Sequence, residues 1–118
     1  MRIRHLALCL TTLAMTFSCA QAADMEKGKA LYSQRCATCH GEKGAGDGPI
    51  GASLPPEQKP RNLQEGGYKY ATDDDKFKEI IKKGGAAVGL SMLMPAQADL
   101  SDDDIESVLL YVHSLKAK

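Results

Sequence analysis

The 118-residue sequence has no tryptophan, only two phenylalanines and an aromatic content of 5%, so few large rings are available to fill a core. It also has no excess of charge, because 15 Lys and Arg balance 15 Asp and Glu. That balance excludes the global basic field that attracts nucleic acid, and we expect no nucleic-acid partner. The length suits a single domain.

The longest apolar stretch lies at the N-terminus, from Leu6 to Phe17. Arginines precede it and the small-x-small pattern Ala20-Gln21-Ala22 follows it, as in a cleaved export signal. Threonines interrupt the stretch, which is shorter than the roughly 20 apolar residues that span a membrane. We therefore expect residues 1–22 to be a secretory signal peptide and residues 23–118 to be the mature domain.

Cleavage would leave a slightly acidic chain. It removes Arg2 and Arg4, so that 13 basic residues remain against 15 acidic ones. Lipidation at Cys19 is a weaker alternative, since the preceding residues lack the leucine that usually opens a lipidation motif. The expected product is a periplasmic protein with no transmembrane segment and two cysteines in an oxidising compartment.

Three segments carry helix signals. The first runs from Asp24 to about Ala37. The second begins at the capping box Thr72–Asp75 and ends at Gly84, and the third begins at Ser101–Asp104 and runs to Leu115. The acidic triplets in both capping boxes suit the positive end of a helix dipole, which we favour over a metal or docking cluster.

Long connections separate these helices. Residues 41–67 are rich in glycine and proline, and residues 85–100 contain two methionines. A connection as long as residues 41–67 is unusual in a small domain, which suggests that it wraps a bound group. No segment alternates as a strand would. The sequence predicts an all-α fold of three main helices and long loops.

The most informative motif is Cys36-Ala37-Thr38-Cys39-His40, the pattern of c-type haem attachment. Two thiols on one helical turn are spaced to add to the vinyl groups of one porphyrin, and the adjacent histidine is directed at the iron. A thiol–disulfide pair normally follows a strand, and zinc would require all of Cys36, Cys39, His40 and His113. We therefore predict one haem c, attached through Cys36 and Cys39, with His40 as a metal ligand.

A sixth iron ligand would come from Met25, Met92, Met94 or His113. Met92 and Met94 lie in a loop long enough to reach the distal side of a haem. We favour Met94 as the second metal ligand because Pro95 restricts the backbone beside it. Met92 stays open as an alternative.

The chain resembles a class I cytochrome c over essentially all of residues 23–118. The motifs that carry the resemblance are Gly28-x-x-x-Tyr32, Cys36 to Gly41, Gly44-x-Gly46-Asp47-Gly48-Pro49, Met94-Pro95 and the helix from Ser101 to Leu115. The resemblance implies that the fold wraps around one covalent haem. It also implies that the first and last helices cross closely at Gly28 and Tyr32, with Tyr111 on the opposite helix.

The resemblance implies further haem contacts. In that family a proline carbonyl in the early loop accepts a hydrogen bond from the proximal imidazole, and Pro49 occupies the matching position. Arg61 lies in a stretch similar to the one near the haem propionates, where it would pair with a carboxylate. Tyr68 and Tyr70 are weaker candidates for the same role.

Ligation by histidine and methionine leaves the iron no free position. We therefore expect the protein to be a monomeric one-electron carrier between redox proteins and not an enzyme. Two alternatives stay open, namely a haem-based sensor with a labile sixth site and an electron-relay subunit of a larger oxidoreductase. Four lysines between Lys76 and Lys83 suggest a solvated helix face or, less strongly, a basic docking patch.

Overall fold

The computed structural model describes residues 23–117, so the predicted signal peptide of residues 1–22 lies outside the described residues. This part of the chain contains helices and no strands, which confirms the all-α prediction. The helices are α1 (Met25–Arg35), α2 (Ala37–His40), α3 (Pro49–Ser53), α4 (Asp74–Lys83) and α5 (Asp102–Ser114), with 3₁₀ turns at Pro56–Gln58 and Ala86–Val88. None of the described helices has the length and apolar character needed to cross a membrane.

Helices α1 and α5 cross in close contact. Gly28 packs directly against the backbone of Ser107, and a Cβ atom at Gly28 would overlap the Ser107 carbonyl oxygen. One turn along, the rings of Tyr32 and Tyr111 lie 5.2 Å apart between centroids at an angle of 57°. The backbone N–H of Asp24 donates to the Ser107 hydroxyl at 3.0 Å. The crossing implied by the resemblance is therefore present.

The core lies where α4 and α1 pack against α5, and its content is mostly aliphatic. Its buried hydrophobic residues are Tyr32, Ala37, Leu63, Phe77, Ile80, Ile81, Leu100, Ile105, Val108, Leu109 and Val112. Only two of these carry aromatic rings. A large apolar cofactor would supply the surface that the protein's few aromatic side chains do not.

The helix boundaries correct two predictions. Asp73 rather than Thr72 is the N-cap of α4, because its carboxylate accepts a hydrogen bond from the Lys76 N–H at 2.9 Å. Helix α1 ends at Arg35, and Cys36 is both its C-cap and the N-cap of α2. The capping box at Ser101 and Asp104 is confirmed, with both reciprocal hydrogen bonds present.

Three of the four lysines of α4 have acidic partners, and the fourth, Lys76, donates to the Thr72 hydroxyl. Lys78 pairs with Glu106 and Lys82 with Asp102 on α5, while Lys83 pairs with Glu79 on α4 itself. At the other end of the helix, the His113 Nε2 atom lies 2.9 Å from a carboxylate oxygen of Asp74. The surface of α4 therefore carries positive and negative side chains next to each other and is not a basic patch.

Candidate haem-attachment site

A single turn of helix carries the three residues of the attachment motif. Cys36 ends α1 by donating its N–H to the Tyr32 carbonyl at 2.8 Å, and its own carbonyl accepts from the His40 N–H at 2.8 Å. Cys36 and Cys39 are both half-buried free thiols. The structure therefore presents two thiols and one imidazole from the same short segment, as covalent attachment to one porphyrin requires.

The glycine-rich loop that follows holds the end of α2 in place. Gly46 donates its N–H to the His40 carbonyl at 2.7 Å, and Gly48 donates to the Cys39 carbonyl at 3.2 Å. The buried Tyr32 hydroxyl donates to the Gly41 carbonyl at 2.7 Å. These bonds satisfy carbonyls that the end of a short helix leaves without partners, so the motif has a defined orientation before any cofactor is considered.

The His40 ring is oriented by a backbone carbonyl from a distant segment. Its Nδ1 atom lies 3.0 Å from the carbonyl oxygen of Arg61. With Nδ1–H donating, the Nε2 lone pair is left for a metal. Burial lowers the pKa of His40, although the bond to Arg61 opposes that shift, and the neutral imidazole is the form that binds iron.

This geometry corrects the role expected of Pro49. The carbonyl paired with the imidazole belongs to Arg61, while Pro49 is the first residue of α3. The extended chain after the 3₁₀ turn at Pro56–Gln58 brings the Arg61 backbone to the ring. A direct contact between Pro49 and the haem stays a prediction.

The side chains proposed to contact the propionates already have protein partners. The Arg61 guanidinium donates to the Gly67 carbonyl at 3.2 Å. The Tyr68 hydroxyl donates to the Leu63 carbonyl at 2.7 Å, and the Tyr70 hydroxyl donates to Glu79 at 2.6 Å. Arg61 has further N–H donors, so its pairing with a propionate stays a prediction.

The methionine loop is attached to the end of α4. Gly84 ends that helix with a φ of 81°, which allows the chain to turn sharply. Gly85 then donates its N–H to the Met94 carbonyl at 3.0 Å, and a Cβ atom at Gly85 would overlap the backbone of Ser91. Two consecutive glycines therefore allow the loop to fold back on itself and bring Met94 beside the helix end.

The two candidate methionines differ in exposure. Met94 is half-buried, whereas the Met92 side chain is 80% exposed. A ligand to a buried iron has to point inward, so the difference favours Met94 over Met92. Met25 is also on the surface, and the ring of His113 is paired with Asp74.

An ion pair that the sequence did not predict joins the two ligand-bearing segments. Arg35, the residue before Cys36, makes two hydrogen bonds to the Asp99 carboxylate at 2.9 and 2.7 Å and one to the Gln97 side chain at 3.1 Å. These hydrogen bonds lower the pKa of Asp99 below its ordinary value. The sequence alone carried no signal for this pair, because its members are more than 60 residues apart.

The donor set fits a haem c and argues against a thiol redox pair. Two thiols, one imidazole with a free Nε2 and a half-buried thioether are the groups that attach and ligate this cofactor. Burial raises the pKa of the Cys36 thiol to about 11, so that it lacks the thiolate character of a thiol–disulfide exchanger. Among residues 23–117, no cluster of three or more His, Cys, Asp or Glu forms an alternative metal site.

Similar proteins point in the same direction. A family model described as cytochrome c oxidase, cbb3-type, subunit III, matches residues 23–112. The Azospirillum brasilense cbb3-type cytochrome c oxidase subunit CcoP is 35% identical over 106 residues, which cover 87% of this chain and 32% of that subunit. The chain thus spans about a third of the length of this relative.

Two further proteins show the same likeness. Cytochrome c-554(547) of Halothiobacillus neapolitanus is 33% identical over 98 residues, which cover 80% of this chain and 100% of that cytochrome. A solved chain from a Kuenenia stuttgartiensis reducing HAO-like protein complex superposes with a TM-score of 0.66 at 34% identity, covering 77% of this chain and 42% of that one.

The attachment motif, the helical fold around it and these similarities agree. The family model extends over the whole attachment motif and the Met94 loop. The chain belongs to the family of cbb3-type subunit III cytochromes and is a class I c-type cytochrome.

Proposed function

We propose that this chain is an exported one-electron carrier with a single haem c, held by Cys36 and Cys39 and ligated by His40 and Met94. The observation that supports it most directly is the pairing of His40 Nδ1 with the Arg61 carbonyl, which leaves Nε2 for the iron. The bound haem would supply reversible cycling between Fe(II) and Fe(III). With both axial positions filled by protein, no position remains for a substrate.

The protein's residues would keep the two iron states similar in geometry. The Arg61 carbonyl fixes the plane and tautomer of the His40 ring. The Gly85 N–H fixes the backbone of Met94. Ligands held by the fold in both oxidation states need little rearrangement on electron transfer, and the apolar core beside them limits access of water.

An uncharged surface next to the methionine would meet the redox partner. No Asp, Glu, Lys or Arg occurs in residues 84–98, although a quarter of the sequence is charged. Leu90, Met92 and Leu93 on this segment are exposed. Such a surface suits the small, short-lived contacts of electron-transfer encounters, and complex formation here would depend only weakly on salt.

The spectrum of the exported protein tests the ligands. We expect a low-spin c-type spectrum with the ferric methionine–iron charge-transfer band, and a ferrous form unchanged by carbon monoxide. Met94→Ala should abolish the band, whereas Met92→Ala should retain it. A high-spin or carbon monoxide-reactive native protein would contradict the carrier and support a haem-based sensor with a labile sixth site.

Export is part of the proposal and has its own test. The N-terminal features predict removal of residues 1–22 and delivery to the periplasm. Mass spectrometry of the periplasmic protein should give a chain that begins at Ala23 and carries one haem. A retained N-terminus, or a lipid on Cys19, would contradict cleavage at this point.

A relay subunit of a larger complex is the second candidate. It is favoured by the names of the relatives, which include an oxidase subunit three times the length of this chain and a component of a multiprotein complex. Gel filtration of the native periplasmic extract distinguishes the two. A free carrier elutes as a monomer, whereas a relay subunit elutes together with its partner.

A further inference from the structure

Arg35 joins the segment that carries the haem cysteines to the segment that carries Met94. It is the last residue of α1 and directly precedes Cys36. Its guanidinium makes parallel hydrogen bonds to both carboxylate oxygens of Asp99, at 2.9 and 2.7 Å, and a third bond to the Gln97 amide oxygen at 3.1 Å. Three bonds to two neighbouring side chains define one position for this part of the loop.

The same loop is also bonded to itself and to α4. The Gly85 N–H donates to the Met94 carbonyl at 3.0 Å and closes the loop on itself just after that helix, and the Gln97 N–H donates to the Ile81 carbonyl at 2.9 Å. The second of these bonds attaches the loop to α4, the helix that precedes it. Arg35 instead attaches it to α1, next to the haem-binding turn. The Arg35 contacts therefore link the Met94 segment directly to the residue that precedes the haem-binding turn.

We propose that Arg35 is a positioning residue for Met94 and that its pairing with Asp99 and Gln97 holds the methionine loop in place beside the haem-binding turn. The proposal rests on the proposed function, since it takes Met94 as the sixth ligand. Release of the thioether from iron requires the loop to move away from the haem-binding turn. The Arg35 contacts oppose that movement, so they lower the affinity of any external ligand that has to displace Met94.

The geometry distinguishes this pair from the other ion pairs of the fold. An exposed pair usually contributes little, and bidentate arginine–carboxylate geometry is the exception. The Arg35 side chain is 32% exposed and that of Asp99 65% exposed, so the pair lies at the surface and its bidentate geometry is what sets it apart. Lys78 and Glu106 form a comparable pair at 2.8 Å, but they join α4 to α5 and touch neither ligand-bearing segment. Lys78 is therefore a matched control.

The test is imidazole binding to the ferric holoprotein at a fixed neutral pH, followed by loss of the methionine–iron charge-transfer band. In Arg35→Gln and Asp99→Asn we expect imidazole to bind about fivefold more tightly than in the wild type, the factor that one exposed ion pair of good geometry contributes. The double variant should show no more than either single change, because both remove the same interaction. Lys78→Gln should stay within about twofold of the wild type.

A conservative variant and a stability measurement exclude a merely structural effect. Arg35→Lys keeps the positive charge but cannot make two parallel hydrogen bonds to the carboxylate. Its imidazole affinity should therefore lie between those of the wild type and Arg35→Gln. The melting temperature of every variant is measured as well as its imidazole affinity. If Lys78→Gln lowers the melting temperature as much as Arg35→Gln while only Arg35→Gln gains imidazole affinity, the positioning role is supported.

Three results would overturn the proposal. Unchanged imidazole affinity in Arg35→Gln contradicts it directly. Gains in imidazole affinity that add up in the double variant also contradict it. An equal gain of affinity in Lys78→Gln contradicts it as well. A wild-type protein without the charge-transfer band refutes instead the ligand assignment under the proposed function, so the two failures are distinguishable.

Discussion

Gly28 of α1 lies directly against the carbonyl oxygen of Ser107 on α5, with no space between them for a Cβ atom. This contact lets the two helix backbones approach closely enough for the Ser107 hydroxyl to accept the N–H of Asp24 at 3.0 Å. The Ser107 hydroxyl in turn donates to the Asp103 carbonyl at 2.9 Å. The start of α1 is therefore held on α5, and the helix that leads to the haem cysteines leaves that crossing in a defined direction.

Substitution of Gly28 should be strongly destabilising. Gly28→Ala raises helix propensity by about 1 kcal/mol. The added methyl group overlaps the Ser107 backbone, however, and overpacking of this kind costs about 1–3 kcal/mol or more. Because the overlap is with backbone atoms, the cost lies toward the upper end of that range, and we expect a net loss of about 1–2 kcal/mol in the free energy of unfolding. Denaturant unfolding of the holoprotein measures it.

The adjacent exposed position supplies the control for that variant. Lys29→Ala should change the free energy of unfolding by less than about 0.5 kcal/mol. A Gly28→Ala protein as stable as Lys29→Ala would show that the helices separate readily and would contradict the close crossing.

Tyr32 is completely buried, and its hydroxyl donates to the Gly41 carbonyl next to the haem motif, which also accepts the Gly44 N–H at 3.0 Å. Tyr32→Phe removes one of these two hydrogen bonds, at an expected cost of about 0.5–1.5 kcal/mol in the free energy of unfolding. Tyr111→Phe is the matched control, because its ring packs on Tyr32 and its hydroxyl makes no hydrogen bond within residues 23–117. Equal losses in the two variants would contradict a specific role for the Tyr32 hydroxyl.

Asp104 predicts how stability depends on acid. Hydrogen bonds from Lys27 and from Ser101 lower the pKa of this carboxyl to about 2. A folded pKa below the unfolded value means that its stabilising contribution is complete above about pH 4 and is lost as the pH falls through 2. Asp104→Asn should therefore be less stable than the wild type at neutral pH, and the difference should shrink below pH 4 and disappear as the pH falls through 2.

The neighbouring aspartate separates this effect from general charge. Asp103→Asn removes one negative charge from the same helix start but keeps the hydrogen bonds between Ser101 and Asp104. Its stability should run nearly parallel to that of the wild type between pH 5 and pH 2. If the stability of Asp104→Asn also ran parallel to that of the wild type over this pH range, the lowered pKa of Asp104 would be contradicted.

Loss of the haem should prevent stable folding. The buried core is mostly aliphatic and contains only two aromatic rings, Tyr32 and Phe77. We expect the double variant Cys36→Ser/Cys39→Ser, which cannot attach haem covalently, to show no cooperative thermal transition when prepared without the cofactor. Circular dichroism measures it against the holoprotein. A cooperative melt of the apo-protein would show that the polypeptide core suffices.

Local sequence determined the three main helices of this protein, although it did not predict the short helix α3 in the connection of residues 41–67. The Ser101–Asp104 capping box starts α5 where predicted, because its hydrogen bonds join residues three apart and need no tertiary contact. The haem cysteines and His40 share one helical turn for the same reason, since their spacing is itself the local geometry. In α4 the choice between Thr72 and Asp73 as N-cap was not determined, since both residues favour that role.

Contacts between distant segments were decided only by the tertiary structure. Arg61 rather than Pro49 supplies the carbonyl to His40, because the path of the loop between them decides which backbone atom reaches the ring. Arg35 meets Asp99 across more than 60 residues, and neither residue has a local pattern that marks the pair. A donor and an acceptor that are far apart in the sequence come within hydrogen-bond distance only when the chain packs in three dimensions. The sequence therefore determined the chemistry of the site, and the packing of the loops decided which residues orient it.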